Sequence, residues 1–197
     1  CCKKILFAGS CMEYNEMSGE CLETETINDS KNHFTSAKNS LRKKAEKICR
    51  KKSICFVWFR IFYVYGPGQR VESLIPSIFK HLKNGRLPEI NSPHNANDYI
   101  YIDDVVEAFS LAIINEISPG IYNLGTGISS TVIDVCRIAE KIVLNSSDLT
   151  RMLESKTIST LNDVNFWAGM TLTNEKLKFN PRGKLSDGIK HAWERFN

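Results

Sequence analysis

The chain has 197 residues, a net charge of +4 at pH 7, 42% hydrophobic residues and 24% charged residues. This composition is ordinary for a soluble globular protein, and the length allows one large domain or a domain plus a smaller lobe. No run of about 18 apolar residues or signal-peptide pattern occurs, so we expect no membrane partner. The seven cysteines lack C-x-x-C spacing, which argues against a metal site or disulfide framework and favours a reducing cytoplasm.

The first predicted elements are a strand, a long helix and a second strand. Residues 4–8 form a short apolar run ending at a Gly-Ser pair, which is typical of a buried parallel strand. Apolar residues spaced by three and four predict a helix over 33–52, and aromatic and β-branched residues predict a buried strand over 54–64. The predicted apolar stripe of the helix is Phe34, Ala37, Leu41, Ala45 and Ile48. This order predicts a βαβ unit with parallel strands, and polar residues 15–32 predict a loop.

The rest of the chain alternates short strands with helices. Strands are predicted near 87–90, 99–102 and 121–124, and helices over about 72–84, 103–114, 132–143, 174–178 and 185–196, with 145–165 unassigned. Asp103 and Asp104 suit the start of a helix, because carboxylates accept from its free N–H groups. The hydroxyl of Ser129, Ser130 or Thr131 can cap the next helix.

A basic cluster lies in the second half of the long helix and the turn after it. Its members are Arg42, Lys43, Lys44, Lys47, Arg50, Lys51 and Lys52. A nucleic-acid patch is one interpretation, but no aromatic residue interleaves the cluster as a base-stacking surface would need. We therefore interpret it as a solvated helix face and expect no nucleic-acid partner.

Several short segments carry a family pattern in their order along the chain. They are residues 7–14 (Phe-Ala-Gly-Ser-Cys-Met-Glu-Tyr), 34–38 (Phe-Thr-Ser-Ala-Lys), 60–69 (Arg-Ile-Phe-Tyr-Val-Tyr-Gly-Pro-Gly-Gln), 98–108, 120–127 and 166–168. Together they resemble the extended short-chain dehydrogenase/reductase family, the NAD-dependent epimerases, reductases and dehydratases of nucleotide-activated sugars. The resemblance covers nearly the whole chain, and the ordered set is much more specific than any single motif.

The resemblance implies an α/β fold, the C-terminal part of a Rossmann-like doubly wound parallel sheet with a smaller α/β substrate-binding lobe. Residues 1–70 would belong to the NAD(P)-binding domain, and 71–197 mainly to the lobe, with about 98–127 returning to the sheet. The chain has no G-x-G-x-x-G or G-x-x-G-x-x-G turn, which holds the cofactor pyrophosphate in such folds. We therefore expect the C-terminal portion of a longer protein, or a truncated gene product, without the adenosine and pyrophosphate sites.

The resemblance also implies catalytic and cofactor-binding residues. In the family, a Tyr transfers the substrate's hydroxyl proton, a Lys lowers its pKa and bonds the nicotinamide ribose, and a Ser or Thr bonds the reacting oxygen. Ser10 and Lys38 would keep these roles, whereas Phe34 stands at the Tyr position and has no proton to exchange. A helix residue packing on the sheet is an equally good interpretation of Phe34. Phe62 and Val64 would lie beside the nicotinamide.

The substrate-binding residues implied by the resemblance are Ser10, Tyr63, Arg70, Ser73, Leu74 and Asn97. Four positions depart from the family where it holds substrate. Tyr63 replaces an Asn, and Ser73 stands where an Asn often meets the nucleotide diphosphate. Asn97 replaces an Arg that pairs with phosphate, and Gly169 replaces an Asp. Cys11 and Met12 stand where dehydratases have the acid and base that expel water, which disfavours a dehydratase.

Two functions stay open at this stage. The first is an NAD(P)-dependent epimerase or 4-keto-reductase acting on a nucleoside-diphosphate sugar, with NAD or NADP as cofactor, as a homodimer packed through the Lys38 helix. The second is a catalytically inactive relative that binds a sugar nucleotide or a partner protein. Ser10 and Lys38 favour the first, whereas Phe34, Asn97 and Gly169 favour the second.

Overall fold

The structure, a computed structural model, describes residues 2–25 and 32–196. Its strands are β1 (Lys4–Ala8), β2 (Ser18–Cys21), β3 (Cys55–Ile61), β4 (Tyr63–Tyr65), β5 (Ala96–Tyr101), β6 (Gly120–Leu124), β7 (Ser129–Thr131) and β8 (Asn165–Ala168). Its α-helices are α1 (His33–Lys51), α2 (Leu74–Leu82), α3 (Ile102–Ile114), α4 (Val132–Leu144), α5 (Asp148–Lys156), α6 (Thr171–Leu177) and α7 (Leu185–Glu194). Among the described residues, no helix is long and apolar enough to cross a membrane.

The first sheet has the order β1-β3-β6, and both pairings are parallel. The predicted βαβ unit is therefore confirmed for β1, α1 and β3. Side chains alternate along β3 between two faces. Phe56 and Trp58 pack with Cys49 of α1 on one face, while Val57 and Phe59 join the core that includes α3 on the other. Helices thus cover both faces of this sheet.

The second sheet has the order β2-β8-β5-β4, with β7 antiparallel to β5. The sequence predicted one strand over 54–64, but the structure divides that segment at Phe62. β3 pairs with β6 in the first sheet, whereas β4 pairs with β5 in the second. The chain therefore crosses from one sheet to the other at Phe62, whose N–H donates to the Leu124 carbonyl at 2.9 Å.

The packed face of α1 is not the predicted stripe. Phe34, Leu41 and Ile48 are 54%, 49% and 54% exposed, and only Ala45 of the predicted set is buried. The buried residues are instead Thr35, Asn39, Arg42, Ala45 and Cys49. Two neighbouring stripes of one helix have the same spacing, so periodicity alone could not choose between them. The interpretation of Arg42 as solvated was also wrong.

Two other expectations were wrong, and a third is confirmed only for the position of the residues. The predicted loop over 15–32 contains β2, while its residues 26–31 lie outside the described part of the chain. The segment 87–90 forms no strand. Asp103 and Asp104 lie in the first turn of α3, as predicted, but no side-chain cap bond forms at its N-cap residue, Tyr101. Asp104 instead accepts the backbone N–H of Arg182 at 3.1 Å, which joins α3 to the C-terminal segment.

Two helix starts in the second half rest on side-chain caps. Thr131 caps α4 in a capping box with Asp134, as the sequence predicted for one of three hydroxyls. The unassigned region contains α5, which Glu140 of α4 holds at its N-terminus. The fully buried Glu140 carboxylate accepts the N–H of Leu149 at 3.0 Å, and the N–H and hydroxyl of Thr150 at 2.8 and 2.6 Å.

We expect Glu140 to make folding stability depend on pH in the acid range. Burial alone would raise its pKa, but the hydrogen bonds from Thr150 and Leu149 outweigh burial and hold the pKa below its usual 4.5. Because the folded pKa is below the unfolded one, this stabilisation is present above about pH 4.5 and is lost as the pH falls through the folded value. Glu140→Gln should flatten this acid limb in urea titrations, whereas Glu175→Gln on the exposed side of α6 should not. Equal acid limbs in wild type and Glu140→Gln would contradict the assignment.

Candidate functional site

The turn after β1 presents Ser10 at the carboxyl end of the first sheet, the edge at which parallel α/β sheets bind ligands. A single turn of 3-10 helix, Cys11–Glu13, follows it. The Ser10 hydroxyl accepts the N–H of Met12 at 3.2 Å, and the Glu13 carboxylate accepts the N–H of Ser10 at 3.0 Å. This capping box gives Ser10 a defined position.

A buried charge cluster anchors that turn. Glu13 has no exposed surface, and its Oε1 accepts the indole N–H of Trp58 at 2.9 Å. Its Oε2 lies 3.7 Å from Nε of Arg42 and 3.5 Å from Nε of Arg60. The Arg60 guanidinium also lies over the Tyr14 ring, 4.5 Å from its centroid. One carboxylate thus joins the Ser10 turn, α1 and β3.

Sequence reasoning missed this cluster, although β3 carried a signal for it. Arg60 stands within an otherwise apolar and aromatic strand. A charge in such a run must be buried with a partner, because an unpaired buried charge is very unfavourable. Its partner, Glu13, stands in the segment 7–14, far from Arg60 in the sequence.

Lys38 lies beside the same end of β1. Its Nζ donates to the carbonyl of Ala8 at 2.7 Å, two residues before Ser10. The Phe34 ring lies one helical turn earlier, with its centroid 5.6 Å from Nζ. The hydroxyl of Thr35 lies 3.4 Å from the Met12 carbonyl and links α1 to the Ser10 turn. The three motif residues Ser10, Phe34 and Lys38 therefore meet at one edge of the sheet.

A cavity of about 680 Å³ lies beside β4 and β5, a volume typical of small-molecule pockets. Its walls include six predicted site residues: Tyr63, Val64, Arg70, Ser73, Leu74 and Asn97. Ser10, Lys38 and Phe62 are not part of its lining as described. Phe62 is 3% exposed, with its ring centroid 5.8 Å from that of Phe166, so its side chain belongs to the core.

Other lining residues were missed by sequence reasoning. They are Met17, Tyr65, Gln69, Ile75, Glu89, Ile90, Asn91, Ser92, Asn95, Tyr99, Val132 and Val164. Glu89 and Ile90 of this lining fall in the segment that was wrongly predicted as a strand over 87–90. The polar Asn-Ser-Pro-His-Asn run that follows was the only sequence signal for a loop here. Burial raises the pKa of Tyr63, Tyr65 and Tyr99, so these phenols stay neutral near pH 7.

Asp98 of β5 holds two neighbouring segments of the chain in place. Its buried carboxylate accepts the N–H groups of Thr126, Gly127 and Ala168 at 2.7, 2.9 and 3.1 Å, and the Thr126 hydroxyl at 2.6 Å. These bonds join β5 to the turn after β6 and to β8. Across residues 2–25 and 32–196, no group of three or more His, Cys, Asp and Glu side chains could hold a metal ion.

Comparison with known proteins identifies the family of the chain. A model of the NAD dependent epimerase/dehydratase family matches residues 1–125. CDP-abequose synthase of Salmonella muenchen is 32% identical over 98 residues, which is 49% of this chain and 33% of that protein. A trifunctional UDP-glucose 4,6-dehydratase/UDP-4-keto-6-deoxy-D-glucose 3,5-epimerase/UDP-4-keto-L-rhamnose-reductase of Arabidopsis thaliana is 30% identical over 136 residues, 66% of this chain and 19% of that protein. The chain thus spans one third or less of these two relatives.

Solved structures give the same fold. UDP-glucuronic acid 4-epimerase from Bacillus cereus, in complex with NAD, superposes with a TM-score of 0.81 at 22% identity, over 98% of this chain and 59% of that chain. UDP-N-acetylglucosamine 4-epimerase from Methanobrevibacter ruminantium, in complex with UDP-N-acetylmuramic acid, gives 0.79 at 22% identity, over 98% and 63%. The predicted Rossmann-like α/β fold class is confirmed.

Proposed function

Because the chain belongs to the NAD-dependent epimerase/dehydratase family, we propose that it is the sugar-nucleotide-binding part of an NAD(P)-dependent epimerase or 4-keto-reductase. The observation that carries the proposal is the cavity that joins Tyr63, Arg70, Ser73, Leu74 and Asn97. These residues come from three separate chain segments, and a nucleoside-diphosphate sugar is the ligand implied for them. The neighbouring epimerase structures, which hold UDP sugars in their complexes, support the same ligand class.

The cavity suits a ligand with one diphosphate and many hydroxyl groups. Arg70 is the single basic side chain among the described residues that line it, so the diphosphate would lie against its guanidinium. Ser73 and Asn97 offer a hydroxyl and an amide to the rest of the ligand. Asn97 has lost the charge of the family's Arg, which leaves more of the phosphate binding to Arg70.

The residues present fit the nicotinamide-ribose half of an NAD(P) cofactor. The Lys38 ammonium lies at the carboxyl end of β1, where it could bond the nicotinamide ribose, and Val64 lines the neighbouring cavity. The sequence has no glycine-rich pyrophosphate turn, so this chain itself supplies no such site. When bound, NAD or NADP would exchange hydride with the sugar, while Ser10 would hold the reacting oxygen.

The exposed apolar face of α1 supports a homodimer packed through this helix. Phe34, Ala37, Leu41 and Ile48 lie on its exposed side. A face of this kind is usually covered by a partner in the working protein. Sedimentation velocity at micromolar concentration tests this proposal, and a purely monomeric chain would contradict it.

A second candidate function follows from Phe34 itself. A phenyl ring beside Lys38 offers no exchangeable proton, so a relative that binds the sugar nucleotide without converting it is the alternative. The two candidates share the binding step and differ in turnover. They are separated by the Phe34→Tyr comparison given in the Discussion.

Ligand titration tests the binding step directly. We expect isothermal titration calorimetry to detect at least one of UDP-glucose, dTDP-glucose and CDP-glucose, and Arg70→Ala to weaken that affinity about three- to tenfold. The effect is modest because the Arg70 side chain is exposed and solvent screens its charge. Arg86→Ala, an exposed arginine that does not line the cavity, is the matched control. Absence of binding by all three ligands, or equal affinities in wild type and Arg70→Ala, would contradict the proposed site.

A further inference from the structure

Tyr63 occupies a defined place in the wall of the cavity. It begins β4 and lies opposite Tyr99 of β5. Its ring centroid is 5.9 Å from that of Tyr99 and 6.0 Å from that of Phe166, the latter edge-on. It also packs on the hydrophobic cluster that includes Cys11, and the Cys11 thiol, directly after Ser10, is close enough to act electrostatically on the Tyr63 phenol. The ring is therefore held on the side of the cavity toward the Ser10 turn.

The Tyr63 hydroxyl is the unused polar group of this aromatic wall. Within residues 2–25 and 32–196, no group forms a hydrogen bond with this hydroxyl. The hydroxyl oxygen is not completely buried, so a ligand can reach it. Three buried tyrosines, by contrast, are bonded: the hydroxyls of Tyr65 and Tyr122 donate to backbone carbonyls, and that of Tyr99 accepts from Asn97. Since Tyr63 lines the cavity, its free hydroxyl is available to a ligand.

The chemistry of this group differs from that of the amide expected from the family resemblance. Burial raises the pKa of Tyr63, so at neutral pH the phenol is a hydrogen-bond donor and not a base. Its ring adds a flat apolar surface, which a side-chain amide lacks and which suits the C–H face of a pyranose. A tyrosine here can therefore bind a sugar ring through apolar contact with its ring face and through one hydrogen bond from its hydroxyl.

We propose that Tyr63 is a specificity-determining residue that binds the hexose ring, and not the nucleotide, of the bound sugar nucleotide. The inference rests on the proposed function, because that function brings the reacting sugar carbon toward Ser10 and Lys38. Tyr63 lies on this side of the cavity, whereas the diphosphate is assigned to Arg70. The neutral phenol selects for the sugar and takes no part in proton transfer.

The test compares each nucleotide sugar with its own nucleoside diphosphate. UDP-glucose and UDP, CDP-glucose and CDP, and dTDP-glucose and dTDP are titrated into wild type, Tyr63→Phe, Tyr63→Asn and Tyr101→Phe. Tyr63→Phe should weaken the nucleotide sugar that wild type binds about five- to tenfold, which is the loss of one hydrogen bond, and change its nucleoside diphosphate by less than twofold. Tyr63→Asn should weaken the same sugar at least as much, because the ring is lost as well.

Tyr101→Phe is the matched control, because the Tyr101 hydroxyl also has no bond among the described residues and does not line the cavity. It should leave all affinities unchanged. Equal losses for the sugar nucleotide and the nucleoside diphosphate, or no loss in Tyr63→Phe, would overturn this inference while the proposed function stands. Wild type that binds none of the three pairs would overturn both.

Discussion

Replacement of Glu13 by alanine is expected to lower the free energy of unfolding by about 3–5 kcal/mol, because it removes the buried carboxylate that two buried guanidinium groups share. Arg42 and Arg60 are only 8% and 1% exposed, and both face the Glu13 carboxylate. The same change removes the acceptor of the Trp58 indole and of the Ser10 N–H. Urea denaturation followed by circular dichroism measures the loss.

Glu46→Ala is the matched control for this prediction. Glu46 also pairs with Arg42, at 3.8 Å, but its side chain is 49% exposed. Exposed pairs typically contribute about 0–1 kcal/mol, so the control should change stability little. Glu13→Gln should fall between the two, since the amide keeps an acceptor for Trp58 but carries no charge. Similar small losses of unfolding free energy for Glu13→Ala and Glu46→Ala would mean that the buried ion pairs of Glu13 do not stabilise the fold.

This cluster marks the limit of what the sequence could predict about the fold. The strand–helix–strand order at residues 4–61 was predictable, because continuous apolar runs and helical spacing depend on local chemistry. The choice of the packed face of α1 was not, because that face carries Asn39 and Arg42, whose burial depends on distant partners. A pattern that treats every basic residue as solvated cannot find an arginine that pairs with Glu13 across the fold.

The candidate site shows the same division between local and long-range information. The motif positions of Ser10, Phe34 and Lys38 could be predicted from the resemblance, and the structure brings them to one edge of the sheet. The wall formed by residues 89–95 could not, because its place beside Tyr63 depends on tertiary packing. The division of the strand at Phe62 was likewise hidden, since both halves have the same composition and differ only in their partners.

Phe34→Tyr is expected to raise the turnover of a nucleotide sugar by roughly 10²–10⁴-fold, the usual contribution of a positioned acid–base group. The new phenol would lie near the Lys38 ammonium, which is 5.6 Å from the Phe34 ring centroid, and a nearby cation lowers the pKa of a phenol. Because Phe34 is 54% exposed, the added hydroxyl needs no buried partner and should not disturb folding. The assay uses the natural full-length protein with NAD or NADP and the sugar nucleotide that binds in the titration.

Lys47→Tyr separates this chemical effect from the mere addition of a phenol to α1. Lys47 is exposed, lies more than three turns after Phe34 and is not one of the apolar residues proposed for the dimer contact. A tyrosine there is too far along the helix to share the Ser10–Lys38 edge, so turnover should stay at the wild-type level. Equal turnover in wild type and Phe34→Tyr would mean that the proton comes from elsewhere and that Phe34 is a packing or interface residue. A large gain in turnover confined to Phe34→Tyr would instead mean that the site retains its catalytic geometry and that its low activity is due to the missing acid.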